Sequence, residues 1–278
     1  MTNLTIKIAA ACGFALAFSP LAAQAGKGGS AQLIQQAVQS HSQDAIIAEL
    51  EHTESLICDE CVSIVTPLTE DSRFEVRQAA AWWFARRPAL AGALADGFRA
   101  DLTGGTATAV RNAADFFGGM RDFKALPQLR IAITRASSSD AKLAIVRAVG
   151  FMAHTDGNGI LVTAMGDQDP AVRAAAVTAW RDMLGQANAQ PVIALLGDGA
   201  AQVRAQAATV IGGLRDQAGR AQLEALVVSD ADAKVRRNAA WALGQLGNAS
   251  SRVALTKAST DASPLVGSTA RASLTYLH

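Results

Sequence analysis

Cys58 and Cys61, with Asp59 and Glu60 between them, are the residues whose spacing most invites chemistry. On a helix, residues three apart hold their Cα atoms about 5 Å apart, a separation that a disulfide accepts. The pair is read first as a local disulfide. Its loop is tiny, so the stabilisation expected from it is modest. The sharper alternative is a redox-active dithiol. That chemistry needs a thiol pKa lowered by positive surroundings, and Asp59 and Glu60 act in the opposite direction. Covalent haem attachment needs His directly after the second Cys; Val62 occupies that place. A metal site needs more ligands than two thiols, and His41 and His52 are only loose neighbours in sequence.

The four histidines, His41, His52, His154 and His278, form no His-x-x-x-His and no His-Glu pair. A Gly-x-Ser-x-Gly elbow and a phosphate-cradling loop are also absent from the sequence. No catalytic, cofactor-binding or metal residue is therefore expected, and no cofactor. What remains is binding. Trp82, Trp83 and Phe84, then Phe116 and Phe117, stand out in a chain with only 5% aromatic residues.

The elements that position these residues begin after an N-terminal segment. Lys7, the apolar run Ile8 to Phe18, and the small-x-small site Ala23, Gln24, Ala25 have the layout of a secretory signal peptide over residues 1–25, cleaved before Gly26. The run is too short for a spanning helix, and an anchored lipid on Cys12 fits it less well. The expected location is periplasmic or secreted, where a disulfide persists. Without this segment the chain keeps equal numbers of basic and acidic residues, since Lys7 is its one charge. That balance argues against a nucleic-acid partner. No basic amphipathic stretch suggests a membrane surface either.

Beyond it the chain repeats. A Val-Arg pair opens seven registers, at Val76, Val110, Ala141, Val172, Val203, Val235 and Val266. Each starts a helix of roughly 14 residues, about 21 Å long, and a second apolar segment precedes each one. Counting the Val as position 0, positions 0, 4, 7 and 8 share one face. Position 4 is small in every copy but the third, which has Ile145. Position 1 is Arg77, Arg111, Arg173, Arg204 and Arg236, with Lys142 and Gly267 as exceptions. An acid lies six residues before it in five copies: Asp71, Asp167, Asp198, Asp230 and Asp261. Such an acid can cap a helix start or pair with an Arg at the edge of the stack. Copies two and three have Gly105 and Ala136 there and are expected to be looser. One hairpin cannot bury its own inner face, so the units must stack. Gly104-Gly105 and Gly118-Gly119 are expected as inter-helix turns.

The stretch Asp230 to Gly247 carries the pattern Asp-x-Asp-x-x-Val-Arg-x-x-Ala-x-x-Ala-Leu-Gly, and Asp167 to Arg173 repeats its turn. This resembles the short HEAT-like repeat named after phycobilisome lyases. The resemblance implies an all-α fold: an α-solenoid, a right-handed superhelix of about seven HEAT-like helical hairpins. It also implies a binding scaffold for protein partners. The related iron-dependent hydroxylases carry His-Glu pairs, which this chain lacks. The expected domains are 1–25 (signal peptide), 26–53 (linker and helical cap, with Ser30 and Ser42 as helix starts) and 54–278 (the solenoid).

Within that frame Trp82, Phe116 and Trp241 fall at position 6, a flank expected to be partly exposed. With Arg77, Arg111 and Arg237 they form the candidate partner-binding set on a concave face lined by the Val-Arg helices. The alternative for Trp82 and Phe116 is packing between neighbouring units. The rival function is a redox-linked accessory protein that uses Cys58 and Cys61, partnered by exported oxidoreductases or cytochromes.

Overall fold

A computed structural model describes residues 29–183, 185 and 188–278. The proposed signal peptide lies outside the described residues. Among those described, sixteen α-helices form and no strand. Eight successive hairpins account for them all.

The first hairpin is α1 (Ala31–Gln39) with α2 (Gln43–His52). Ser30 and Ser42 cap these helices, their hydroxyls accepting from the N–H groups of Leu33 and Ala45, a satisfied donor worth about 1 kcal/mol each. Seven hairpins follow. They are α3 (Asp59–Val65) with α4 (Phe74–Ala85), and α5 (Pro88–Gly104) with α6 (Ala107–Met120). Next come α7 (Leu126–Arg135) with α8 (Ser139–Met152), and α9 (Asn158–Met165) with α10 (Pro170–Asp182). The last three are α11 (Gln190–Ile193) with α12 (Ala201–Leu214), α13 (Arg220–Ser229) with α14 (Ala233–Leu246), and α15 (Arg252–Ala258) with α16 (Pro264–Leu274).

The second helices stack in one row, from α4 through to α16, and most of the first helices in another. The N-terminal hairpin joins both rows, α1 against α3 and α2 against α4. It is thus an additional, divergent unit in register with the rest. Trp83 ties it down by donating to the Thr53 hydroxyl at 2.9 Å. Arg87 lies 3.7 Å from the centre of the Trp83 ring and donates to the carbonyls of Thr53 and Leu56.

The core follows the helical period. Val76, Val172, Val203, Val235 and Val266 are fully buried, as are Ala80, Ala176, Ala207, Ala239 and Ala270. Small residues set how closely the second-row helices approach. A methyl group added to Gly118 would lie 2.7 Å from the Ala148 Cα, and one on Gly212 equally near the Ala242 Cα. Gly118 and Gly119 are therefore helical residues of α6, and not the expected turn. Gly104 and Gly105 do sit at a helix end, that of α5.

One register differs from the sequence reading. Apart from α6, every second-row helix after α2 has its N-cap three residues before position 0, as at Ser138, Asp169, Ala200, Asp232 and Ser263. In the second copy that N-cap is Thr106, whose hydroxyl accepts from the Ala109 N–H. Position 0 is therefore Ala109, and Val110 takes position 1, where other copies have Arg. The left-handed C-cap agrees, twelve residues on at Arg121, as at Ala153, Arg215 and Gly247. The apparent Val-Arg pair at 110 and 111 is a coincidence one residue out of phase.

Candidate functional site

Each regular unit hooks onto the next through its position-1 side chain. Arg173 donates to the Asp198 carboxylate at 2.7 and 2.8 Å. Arg204 does the same to Asp230, and Arg236 to Asp261, each at 2.7 and 2.9 Å. Lys142 reaches Asp167 at 2.6 Å. Every one of these acids belongs to the turn of the following unit. The same arginines turn their Nη1 back onto two carbonyls of their own turn, Asp167 and Gln168 for Arg173, for example. Each acid also accepts the N–H two residues on, as Asp198 does from Ala200 at 2.8 Å. The guanidinium beside it holds the carboxyl of Asp198 below its ordinary value, and Arg236 does so for Asp261. For Asp230, burial pushes upward, and the hydrogen bonds from Arg204 and the Asp232 N–H outweigh it.

The ladder is interrupted at the second copy, which has neither the acid nor the Arg. Arg77 instead turns onto Asp115 of α6, at 2.7 and 3.0 Å, with both side chains buried. Arg147 of α8 takes the other oxygen of Asp115 at 2.6 Å. Its guanidinium lies 4.0 Å from the Phe74 ring centre. One buried carboxylate thus links α4, α6 and α8. Such a group is tolerated because two cations satisfy it.

These contacts place the sequence-derived candidates. Arg77 is buried and committed to Asp115, so it offers nothing to a partner. Phe116 is 1% exposed. The one-residue shift puts it at position 7, on the inner face, where it meets Phe98, Phe84 and Phe117 with ring centres 4.6–6.1 Å apart. Arg111, at position 2, is partly buried and touches Asn112 and, at 3.4 Å, Asp140. Trp82 is half-buried, with the Arg86 guanidinium 4.9 Å from its ring centre. Trp241 and Arg237 are exposed on α14, far along the stack from Trp82. The structure therefore does not gather the candidate set into one patch.

The Sγ atoms of Cys58 and Cys61 stand 2.04 Å apart, with Cα atoms at 5.3 Å. Cys58 is the N-cap of α3, its sulfur accepting from the Cys61 N–H at 3.1 Å. Among the described residues, no group of three or more His, Cys, Asp or Glu could hold a metal ion. No helix there is long and apolar enough to cross a membrane.

The second-row face does carry a groove. It opens over α2, α4 and α6 with a volume of about 360 Å³. Trp82, Ile47 and Phe151 form its apolar walls, Ala79, Gly118 and Gly119 its floor, and Glu51, Glu75 and Arg121 its charged rim. Phe151 is shared with a second hollow of about 440 Å³ between α8 and α10, over Gly150, Ala175 and Ala179. Together they form a trough across five helices of one row. The sequence reading missed Phe151, Arg121 and the two glutamates. The signal available was the run of small residues, Gly118, Gly119, Gly150 and Ala179, which lets these helices pack closely under this face.

A family model and one solved structure agree with this architecture. A family model described as HEAT repeats matches residues 189–275. The X-ray structure of YIBA_ECOLI is similar to this chain, with a TM-score of 0.56 and 15% identity over 87% of this chain and 91% of that one. An engineered protein gives 0.49, 16% identity, and 90% and 82% coverage. Human deoxyhypusine hydroxylase in complex with glycerol gives 0.39, 19% identity, and 88% and 96% coverage. No curated protein matches in sequence.

Proposed function

Since the chain is a protein of HEAT-like repeats, we propose that it is an exported, non-enzymatic scaffold that binds a protein partner along its second-row face. The observation that carries this reading is the trough over α2 to α10. It combines apolar walls, a floor of glycine and alanine, and a charged rim, the make-up of a surface that receives side chains from another molecule. This face is taken as the inner one of the solenoid, where one partner can touch several repeats at once. Cys58 and Cys61 act as a structural disulfide of α3, which fits a periplasmic or secreted location. Neither nucleic acid nor insertion into a membrane enters this reading.

The test compares the two faces of the stack. The immobilised protein would be offered extract from the exported fraction of its source cells. Substituting Trp82→Ala or Phe151→Ala should abolish capture of a protein that the native chain retains. Substituting Ile131→Ala or Val162→Ala, exposed on first-row helices, should leave capture unchanged. Equal capture by all four variants would sink the reading.

A further inference from the structure

The rim of the groove is charged. Glu51 comes from α2 and Glu75 from α4, two helices packed side by side. Both are exposed, and neither has an ion-pair partner among the described residues. Arg86, the nearest cation to Trp82, is already engaged: it pairs with Glu54 at 2.9 Å and covers the indole. Arg147, farther along, is held by Asp115. Two carboxylates without an ion-pair partner among the described residues thus line the groove beside apolar wall, and Arg121, at the end of α6 and also without one among those residues, lines it too. Two like charges lining one partly enclosed hollow favour a cation from outside, because low-dielectric walls strengthen the attraction.

We propose that this groove receives an extended peptide segment of a partner through one basic side chain, Arg or Lys. Its charged head meets Glu51 and Glu75, and its aliphatic stem lies along Ile47 and the Trp82 indole, the way such side chains cover apolar surface. Arg121 sets the direction, opposing a second cation and donating to a carboxylate or backbone carbonyl of the same segment. This rests on the scaffold reading and specifies what the inner face recognises.

The experiment uses two fluorescein-labelled pentapeptide amides, Gly-Leu-Arg-Leu-Gly and Gly-Leu-Glu-Leu-Gly, titrated into the full chain and followed by fluorescence anisotropy. The basic peptide should bind saturably, about tenfold or more tighter than the acidic one, and weaken as salt is added. The double variant Glu51→Gln, Glu75→Gln should lose about tenfold for the basic peptide. Both glutamates are exposed, so its melting temperature should stay close to native. Equal affinity for the two peptides, an unaffected double variant, or no binding of the basic peptide would each overturn the proposal. If Trp82 and Phe151 still governed partner capture in that event, the scaffold reading would stand and only the basic specificity would fall.

Discussion

Arg77 and Asp115 form an ion pair 2.7 Å long between α4 and α6, with side chains only 4% and 1% exposed. It replaces the regular link, because the second unit lacks the turn acid that Arg77 would otherwise meet. Asp115→Ala would leave Arg77 buried without its partner, a loss of about 3–5 kcal/mol. Asp140→Ala, which removes the exposed partner of Arg111, should cost under about 1 kcal/mol. Urea melts of both variants check the contrast. Similar small losses would mean that water reaches Arg77.

The ladder predicts a defined response to acid. The carboxyls of Asp198 and Asp261 titrate below their unfolded value because a guanidinium holds each one. A folded pKa below the unfolded one gives stability that is fully present above the unfolded pKa of about 3.9. That stability is lost as pH falls through the folded value. Asp198→Asn should therefore cost about 1–2 kcal/mol at pH 7. The gap from the native chain should narrow steadily below about pH 4. A gap that stays constant down to pH 2 would show that the ion pair contributes nothing.

Two glycines separate helix propensity from packing. Gly97 of α5 has open space where a Cβ would go, whereas at Gly118 that Cβ would meet the backbone of Ala148. Gly97→Ala should stabilise by about 0.5–1 kcal/mol. Gly118→Ala gains the same propensity but must push α8 away, an overpacking cost of about 1–3 kcal/mol. Thermal melts should move in opposite directions, or at least differ by several degrees.

For the cysteine pair, reduction by dithiothreitol should lower stability by about 2 kcal/mol or less, since the loop it opens is so short. The pair should resist reduction in glutathione buffers. A potential near that of glutathione would favour the redox-linked role instead.

Much of this architecture was legible in the residues. The period, the inner face of Val and Ala, and the pairing of Arg with turn acids are all written into short stretches, because stacking identical units demands the same solution each time. The N-terminal hairpin could be foreseen from Ser30 and Ser42, although its place in the stack depended on Thr53 and Trp83 meeting across 30 residues. The second unit was misread for a physical reason. Val110 and Arg111 imitate the motif, while the true phase is set by the Thr106 cap, a local hydrogen bond that outranks the resemblance. From that shift follow the burial of Phe116 and the place of Asp115 at position 6. The groove was illegible for another reason: it lies over small residues at which neighbouring helices meet. Glycines at 118, 119 and 150 mark it only once the neighbouring helices are in place.

The break in the ladder also has a mechanical consequence. From α8 to α16 the stack has a seam along one edge, charged stitches joining each turn to the next, so that edge resists stretching and the coil can flex there only by opening the opposite side. From α4 to α8 the main link is the buried Asp115, beside the exposed Arg111–Asp140 contact. The same three helices carry the main groove. The solenoid should thus behave as a spring of unequal stiffness, more compliant around the groove, and amide hydrogen exchange no faster there than from α8 to α16 would contradict this.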